Sequence, residues 1–566
     1  MASTLRRSLL RENKTEGGSI QDEMKAYSLK PVENDGINVY GNVRINPITS
    51  GPYSDSQEIT VSLCSPNFDV TEFSNSYIHL KMKIRMRYQN APVITDTTSD
   101  FGKALAENQY FFIGLKCGTH VLRNYSFKFN DVPITSSMQS SAVYESFLYS
   151  TFMSKSERAN KKYVFSPYEE VSVLDNSACG VYVPLSAIRN SDYQDLDIII
   201  PYRCILAMSG WNEYPNRLFG DLKIVFNTTP EAFVFTEVSP LASLRKAIIS
   251  GKIAKTVPHL SEILALADET FDYVHAFEQV GVSSPVQYIS GWDATNNKLT
   301  FTTCTGFTPY IDEIVTQECW VDCKGYRMSE IAVRALQEHF SAQPFTVCAQ
   351  KIEVFQFPAA AEPAGLRTSM NIRFNHTTDA CLLFPKDSRH RTIFTNICYD
   401  NLQLQVGNQR FPEQLISTIS PQFHEQQIQA SDFDSIFEAN EEYEHSLTDV
   451  PTDGKVALRP TTDATSFVVL HQFERSGGGA GDSSMWFDGI NRPTEKVELT
   501  GRPLYPNCDV YYKGVNMPTP LICLDTETYW IFRLMPTGDG RYRPNCQYVV
   551  ANEYKDGYNN PAVESV

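Results

Sequence analysis

The chain has 566 residues and a formal net charge of −17, and its composition is 42% hydrophobic, 20% charged and 12% aromatic. The length predicts about two to four domains, and the hydrophobic share excludes a disordered chain. The acidic balance argues against a protein that wraps duplex DNA over its whole surface, since such surfaces are basic.

The N-terminal segment, residues 1–57, is polar and carries four basic residues in its first 14 positions, Arg6, Arg7, Arg11 and Lys14. We predict an arm here, either frayed or ordered on a neighbour. The four basic residues are candidate contacts of such an arm with its neighbour. The segment lacks the apolar stretch of a secretory signal.

A β-rich region is predicted over residues 58–235. In SYIHLKMKIRM (76–86), apolar residues alternate with His79, Lys81, Lys83 and Arg85, which is typical of a half-buried strand. The basic row raises nucleic-acid binding as a hypothesis, but a solvated face or a face towards a neighbouring subunit is favoured. Further strand patterns occur at 124–134, 180–185, 196–206 and 221–227.

A helical connector is predicted next, over residues 236–285, because apolar residues in 258–280 keep helical spacing. Strand patterns resume at 286–535 and predict a second β unit, interrupted by a helical insert at 327–340. Residues 536–566 are polar and are predicted to be a C-terminal tail.

An internal repeat relates the two β units. NYSFKFNDVPI (124–134) matches NLQLQVGNQRF (401–411) in pattern, with three alternating apolar residues followed by a turn that tolerates positive φ. Helical character is predicted after each copy, including residues 412–427. The basic cluster Lys386, Arg389, His390 and Arg391 precedes the second copy, much as His120 and Arg123 stand at the first. We therefore interpret the cluster as a loop feeding a strand, with inter-subunit contact as its candidate role, and not as an active site.

Motifs that carry chemistry are missing from the sequence. It has no G-x-S-x-G, H-E-x-x-H or G-x-x-x-x-G-K-[ST] pattern. The acidic run at 431–447 fits a helix capped by Ser431 better than a calcium loop, and His424 and His445 have no nucleophile at a recognisable spacing. We expect no catalytic site and no cofactor.

The 13 cysteines are odd in number and scattered, which predicts free thiols in a reducing compartment and no disulfide framework. Cys319 and Cys323 are the closest pair, and no second pair with metal-ligand spacing accompanies them. We expect no metal site. No apolar run approaches the length of a membrane span, so we expect no transmembrane segment.

The run LLFPKDSRHRTIF…EEYEHSL (382–447) resembles the second jelly roll of double jelly-roll major capsid proteins, those of polinton elements and adintoviruses above all. Virophage capsid protein and adenovirus hexon are remoter kin. Residues 76–86 and 120–162 resemble the first jelly roll of that family, and 466–475, 496–503 and 528–534 resemble its closing strands.

The resemblance implies an all-β fold of two tandem eight-stranded antiparallel jelly rolls with a helical connector and inserts. It also implies homotrimeric, pseudo-hexameric capsomers that tile an icosahedral shell around a DNA genome, without catalytic residues. The implied partners are the chain itself, neighbouring capsomers, penton and minor capsid proteins, and DNA at most through the arm. The implied location is the virion, after assembly in the host cytoplasm or nucleus.

The rival hypothesis is a carbohydrate-binding or hydrolytic β-sandwich protein. It requires an exposed aromatic platform or a carboxylate pair in a cleft. The five tryptophans are scattered along the sequence, at positions 211, 292, 320, 486 and 530. A minor or penton-type capsid protein is a third option, but such a protein needs only one jelly roll.

Overall fold

Antiparallel strands dominate the computed structural model, as the alternating patterns predict. The structure describes residues 37–89, 103, 110–115, 118–136, 138–139, 164–165, 180–184, 193–237, 275–277, 286–293, 295, 298–304, 308–359, 365–384, 399–417, 468–473, 490–503, 519–537 and 541–550. The all-β prediction is confirmed.

The first half of the described chain contains nineteen strands and one short helix, α1 (Asn216–Phe219). In chain order the strands are β1 (Ile37–Ile45), β2 (Tyr53–Ser54), β3 (Ile59–Ser62), β4 (Val70–Glu72), β5 (Tyr77–Gln89), β6 (Tyr110–Gly114), β7 (Leu122–Phe129), β8 (Val132–Pro133), β9 (Met138–Gln139), β10 (Val164–Phe165), β11 (Gly180–Pro184), β12 (Tyr193–Pro201), β13 (Glu213–Tyr214), β14 (Leu222–Thr228), β15 (Val234–Glu237), β16 (His275–Phe277), β17 (Val286–Asp293), β18 (Lys298–Cys304) and β19 (Thr308–Met328).

The second half begins with a longer helix, α2 (Glu330–Ala342), and continues with eight strands. These are β20 (Phe345–Gln356), β21 (Leu366–Leu383), β22 (Tyr399–Val406), β23 (Gln409–Ile416), β24 (Val468–Gln472), β25 (Ile490–Pro503), β26 (Leu521–Pro536) and β27 (Tyr542–Val550). The helix predicted over 327–340 is found as α2, and the Ser329 side chain caps it by accepting a hydrogen bond from the Ala332 amide at 3.3 Å.

The first half has one large sheet in the order β10-β12-β5-β19-β4-β13, and β1 and β2 also pair with β19. Smaller sheets of five and four strands, β3-β14-β7-β8 with β9 and β11-β6-β15-β16, accompany it, and β17 and β18 form a hairpin. The second half has a single sheet in the order β20-β26-β21-β25-β22-β23, with β24 on β21 and β27 on β26.

Strand β5 confirms the predicted two-residue period. Its apolar face is buried, and it consists of Ile78, Leu80, Met82, Ile84 and Met86. The intervening basic residues are exposed or half-buried on the other face. Burying the five apolar side chains stabilises the sheet by roughly 1.5–3 kcal/mol each before the cost in conformational entropy.

The predicted repeat is also found. Tyr125, Phe127 and Phe129 of β7 are buried, as are Leu402, Leu404 and Val406 of β22. Both strands end in tight hairpins with left-handed backbone, at Asn130 and Asp131 (φ 45° and 69°) and at Gly407 (φ 59°). The predicted helical character downstream of the second copy is wrong for residues 412–416, since β23 runs through them and pairs with β22.

Three further expectations differ from the structure. Residues 37–45 of the arm predicted over 1–57 form β1, which pairs with β19 over eight registered positions. Residues 275–277 of the predicted helical connector form β16, which pairs with β15; most of the connector lies outside the described residues. Strand β19, assigned by sequence to the second unit, pairs with β5 of the first. Alternation predicts that a segment is a strand, but it does not identify the partner strand.

An aromatic core joins the two halves. Trp211 of the first half and Trp530 of β26 are both buried, with ring centroids 5.8 Å apart. The indole N–H of Trp530 donates a hydrogen bond to the Ala207 carbonyl at 2.8 Å. Phe219 and Phe532 pack at 5.3 Å in the same core. We call this group the junction core. A separate core, built from β20–β26, lies wholly within the second half.

Candidate functional site

The candidate site is the outward face of the large first-half sheet, which we call the charged face. It consists of the polar side chains of β5 and their neighbours on β1, β12 and β19. Since side chains alternate along β5, burying its apolar face places His79, Lys81, Lys83, Arg85 and Arg87 together on the other side. This row carries the sequence's hypothesis of nucleic-acid binding.

Acidic residues of β19 pair with the basic residues at one end of the row. The Arg85 guanidinium lies 2.7 Å from Asp312 and 2.9 Å from Glu313, and Arg87 lies 3.0 Å from Asp312. The Tyr193 hydroxyl of β12 donates a hydrogen bond to Glu313 at 2.7 Å, and this bond raises the pKa of Tyr193. One carboxylate thus bridges two arginines, which fixes the spacing of β5 and β19 side chains.

A stack on Trp320 occupies the other end of the face. The Arg44 guanidinium lies 3.9 Å above the Trp320 ring, and the His79 ring centroid is 3.9 Å from that of Trp320. Arg44 also contacts Glu318 at 3.4 Å, and the indole N–H of Trp320 donates to Asp322 at 2.9 Å. The stack ties β1, the first described strand, to the middle of the sheet.

Burial decides the charge of His79. Loss of solvent lowers its pKa, while the Asp197 carboxylate at 3.9 Å acts in the opposite direction, and the net direction is downward. His79 is therefore neutral at neutral pH, and its ring packs on Trp320 as an uncharged group.

Four cations of the charged face already contact carboxylates of β19, namely Arg44, Lys81, Arg85 and Arg87. A phosphate backbone would have to displace the carboxylates of Asp312, Glu313 and Glu318 from the cations that they already contact. Affinity for nucleic acid comes from cations that are free to neutralise phosphates, so this arrangement fits poorly with that role. It fits a solvated surface or one that faces another protein.

The predicted site residues are only partly tested. Arg6, Arg7, Arg11 and Lys14 of the arm lie outside the described residues, as do Lys386, Arg389, His390 and Arg391 of the basic cluster. Both assignments stay predictions. His424, His445 and the acidic run at 431–447 also lie outside the described residues.

Metal binding by Cys319 and Cys323 is disfavoured by geometry. The two residues stand four positions apart on β19, both buried on its inward side, so their Cα atoms are separated by roughly 13 Å. Burial raises their pKa values to about 12 and about 11, which keeps both as thiols. Within the described ranges, no group of three or more His, Cys, Asp or Glu residues could hold a metal ion.

An aromatic platform for sugars is not formed by the three tryptophans whose side chains are described. Trp211 and Trp530 are buried in the junction core, and Trp320 is only 7% exposed beneath Arg44. The sequence could not show that Trp211 and Trp530 meet, since 319 positions separate them and no local pattern links them. In the described part of the chain, no helix is long and apolar enough to cross a bilayer.

His471 of β24 gives a prediction about pH. It is fully buried in the core of the second half, and burial lowers its pKa to about 3. The unfolded chain takes up this proton near pH 6.5 and the folded chain does not. The contribution of His471 to the free energy of unfolding is therefore fully present above pH 6.5. It falls on acidification towards pH 3, by about 1.4 kcal/mol per pH unit.

We expect the stability deficit of His471→Gln, relative to the natural chain, to shrink by about 2 kcal/mol between pH 7 and pH 5. Urea unfolding at the two pH values measures it. Val469→Ala, a neutral change in the same buried strand, is the control and should cost the same at both. An equal deficit for His471→Gln at pH 7 and pH 5 would contradict the assignment.

In comparisons with known proteins, the chain matches solved structures only. No protein family and no curated protein matches the chain. The mavirus major capsid protein matches with 10% identity and a TM-score of 0.42, over 94% of this chain and 96% of that one. The chain resembles viral major capsid proteins. The matched structures are of viral capsid proteins, the class that the sequence resemblance names.

Two further matches are similar in extent. A chain of the Sputnik virophage structure has 9% identity and a TM-score of 0.45, over 93% of this chain and 91% of that one. The Faustovirus major capsid protein has 8% identity and a TM-score of 0.42, over 87% and 90%.

Proposed function

We propose that this chain is a major capsid protein, with a structural and non-enzymatic role. Three copies form a capsomer of pseudo-hexagonal outline, and the capsomers tile an icosahedral shell around a DNA genome. The chain is then a component of the virion, assembled in the host cytoplasm or nucleus, and its neighbours include penton and minor capsid proteins.

The observation that carries the proposal is the junction core. Because Trp211, Phe219, Trp530 and Phe532 pack across the two halves, one chain presents two β units as a single block. Three such blocks around an axis give six units, which is the number that a hexagonal tile requires. The division that we propose ends the first unit with β19 and begins the second with β20, with α2 between them.

The two basic segments receive separate roles in this proposal. The arm contacts a neighbour, a membrane or the genome through Arg6, Arg7, Arg11 and Lys14. DNA is contacted at most through these residues. Lys386, Arg389, His390 and Arg391 form a loop at a subunit boundary. The charged face supports this division, since four of its cations already contact carboxylates and leave phosphate binding to other segments.

The test is light scattering on the purified chain, followed by negative-stain microscopy of the same peak. We expect a mass three times 63.9 kDa and triangular or hexagonal particles. Replacing the four basic residues of the arm by glutamine should leave the trimer intact and weaken shell assembly. The matched control replaces Lys128, Lys324, Arg334 and Arg373, which lie in described strands or in α2, by glutamine and should leave assembly unchanged.

A monomer at high protein concentration would overturn the capsid proposal. A clear hit on a glycan array or a glycosidase panel would favour the sandwich hypothesis in its place. Unchanged assembly of the arm variant would remove the arm's role alone, while the trimer result stands.

A further inference from the structure

Two cysteines face each other across neighbouring strands of the second half. Cys381 of β21 is the direct antiparallel partner of Cys523 of β26, and the flanking pairs Ala380–Leu524 and Leu382–Ile522 are in the same register. Directly opposed residues in such a ladder have Cα atoms about 4.5 or 5.5 Å apart. Both spacings fall within the range of about 4.4–6.8 Å that a disulfide bridges.

The two thiols also lie on the same side of the sheet. Opposed residues in an antiparallel pair project to one face, and their neighbours in sequence project to the other. The flanking residues Ala380, Leu382, Ile522 and Leu524 belong to the core of the second half, so Cys381 and Cys523 lie on the opposite face. Both cysteines are fully buried, and neither is in a disulfide.

No other described cysteine has this arrangement. Cys319 opposes Leu80, Cys323 opposes Val43, and Cys348 opposes Tyr529. Cys546 opposes Phe532, and Cys304 opposes Val286. Among the strand cysteines of the described ranges, the 381–523 pair alone joins two thiols in direct register.

We propose that Cys381 and Cys523 are a modification site, at which a cross-strand disulfide forms when the folded chain meets a disulfide oxidant such as oxidised glutathione. The thiolate of one cysteine attacks the sulfur–sulfur bond of oxidised glutathione and releases one glutathione thiolate. The second cysteine then attacks the mixed disulfide and releases the other glutathione. Two protein thiols lose two electrons and two protons, and one glutathione disulfide becomes two glutathione thiols.

Burial makes the reaction slow and selective. It raises the pKa of the Cys523 thiol well above neutral pH, and the thiolate is the reactive form. Exchange therefore requires local opening of the sheet near these strands. The pair stays reduced in a reducing compartment, as the sequence predicts for this chain, and closes over longer times in an oxidising one.

The closed bond would constrain a long stretch of chain. Residues 381 and 523 are 142 positions apart, and a cross-link over a loop of this length removes much of the entropy of the unfolded chain. We expect the unfolding midpoint to rise by roughly 4 °C. Disulfide formation between Cys381 and Cys523 does not depend on the proposed capsid role. That role only explains how the chain could reach an oxidising environment outside the cell.

The test uses the purified full-length chain, incubated with oxidised glutathione until its thiol count is constant, and a parallel sample held in dithiothreitol. One portion of each sample is denatured in iodoacetamide, digested and analysed by mass spectrometry. A second portion is heated to measure its thermal unfolding midpoint. We expect a 381–523 linked peptide, two hydrogens lighter than its parts, in the oxidised sample only. The rise in midpoint should reverse on reduction.

Cys523→Ser should abolish both the link and the rise, whereas Cys319→Ser, the matched control from another strand pair, should keep both. If Cys523→Ser does not fold, Cys381→Ala takes its place, and the link in the natural chain is read independently of either variant. Recovery of Cys381 and Cys523 as alkylated thiols from the folded, oxidised chain would overturn the proposal, as would their linkage to other cysteines.

Discussion

Replacing Trp530 with alanine is expected to destabilise both halves of the chain together, by about 5 kcal/mol. Removal of a buried tryptophan costs about 3–5 kcal/mol through lost burial and the cavity that remains. The substitution also removes the hydrogen bond to the Ala207 carbonyl, and an unsatisfied buried acceptor costs about 1–3 kcal/mol more. The lost ring contacts lie on both sides of the junction, at Phe127, Trp211 and Tyr548.

Denaturant unfolding followed by circular dichroism measures this loss. Trp530→Phe keeps an aromatic ring and lacks the indole N–H, so we expect an intermediate loss. Tyr542→Ala, an exposed aromatic on the neighbouring strand β27, is the control and should change stability by no more than about 0.5 kcal/mol. A loss confined to one half, with an unchanged transition for the other, would show that the junction core does not couple them.

Replacing Gly325 with alanine is the second change with a large expected effect. Gly325 of β19 opposes Gly41 of β1, and the Phe68 ring lies against this pair. A Cβ atom at Gly325 would stand 2.5 Å from the Val70 carbonyl oxygen and 2.7 Å from the Phe68 ring. The first of these is backbone of the paired strand β4 and cannot move without breaking the ladder. We expect a loss of about 3 kcal/mol.

Gly41→Ala is the matched control for this prediction. A Cβ atom there would lie 3.5 Å from the Phe68 ring, which is ordinary van der Waals contact. We expect a change within about 0.5 kcal/mol, or a small gain from the lower entropy of the unfolded chain. Urea midpoints of the two variants measure the contrast. Equal effects at both positions would contradict the close approach of β4 to Gly325.

The features that the sequence predicted correctly are local. The two-residue period of β5 and the three apolar residues before the turns of β7 and β22 are visible within a dozen positions, because side-chain direction alternates along any strand. The helix at 330–342 is likewise local, with apolar spacing and a serine cap. The resemblance to double jelly-roll proteins also predicted which of these strands belong to the first β unit and which to the second.

The features that the sequence missed depend on distant partners. No pattern near β19 shows that it lies between β5 and β1, and none shows that Asp312 bridges Arg85 and Arg87. The spacing of 258–280 suggested a helix, but pairing with β15 makes a strand of 275–277, since tertiary contacts override local propensity. The sequence therefore predicted only one part of the candidate site. It showed the basic row of β5, but not the acidic residues of β19 that lie against it.

The junction core also sets an order of events during synthesis. Trp211 leaves the ribosome 319 residues before Trp530, which at about 5–20 residues per second is a delay of roughly 15–60 s. Once β19 has joined the large sheet, the first half still lacks the rings of β26 that cover Trp211. The nascent chain thus exposes an aromatic surface until its last strands arrive. The junction core closes only after β26 has been translated, and a codon change that slows residues 211–530 would lengthen the exposure.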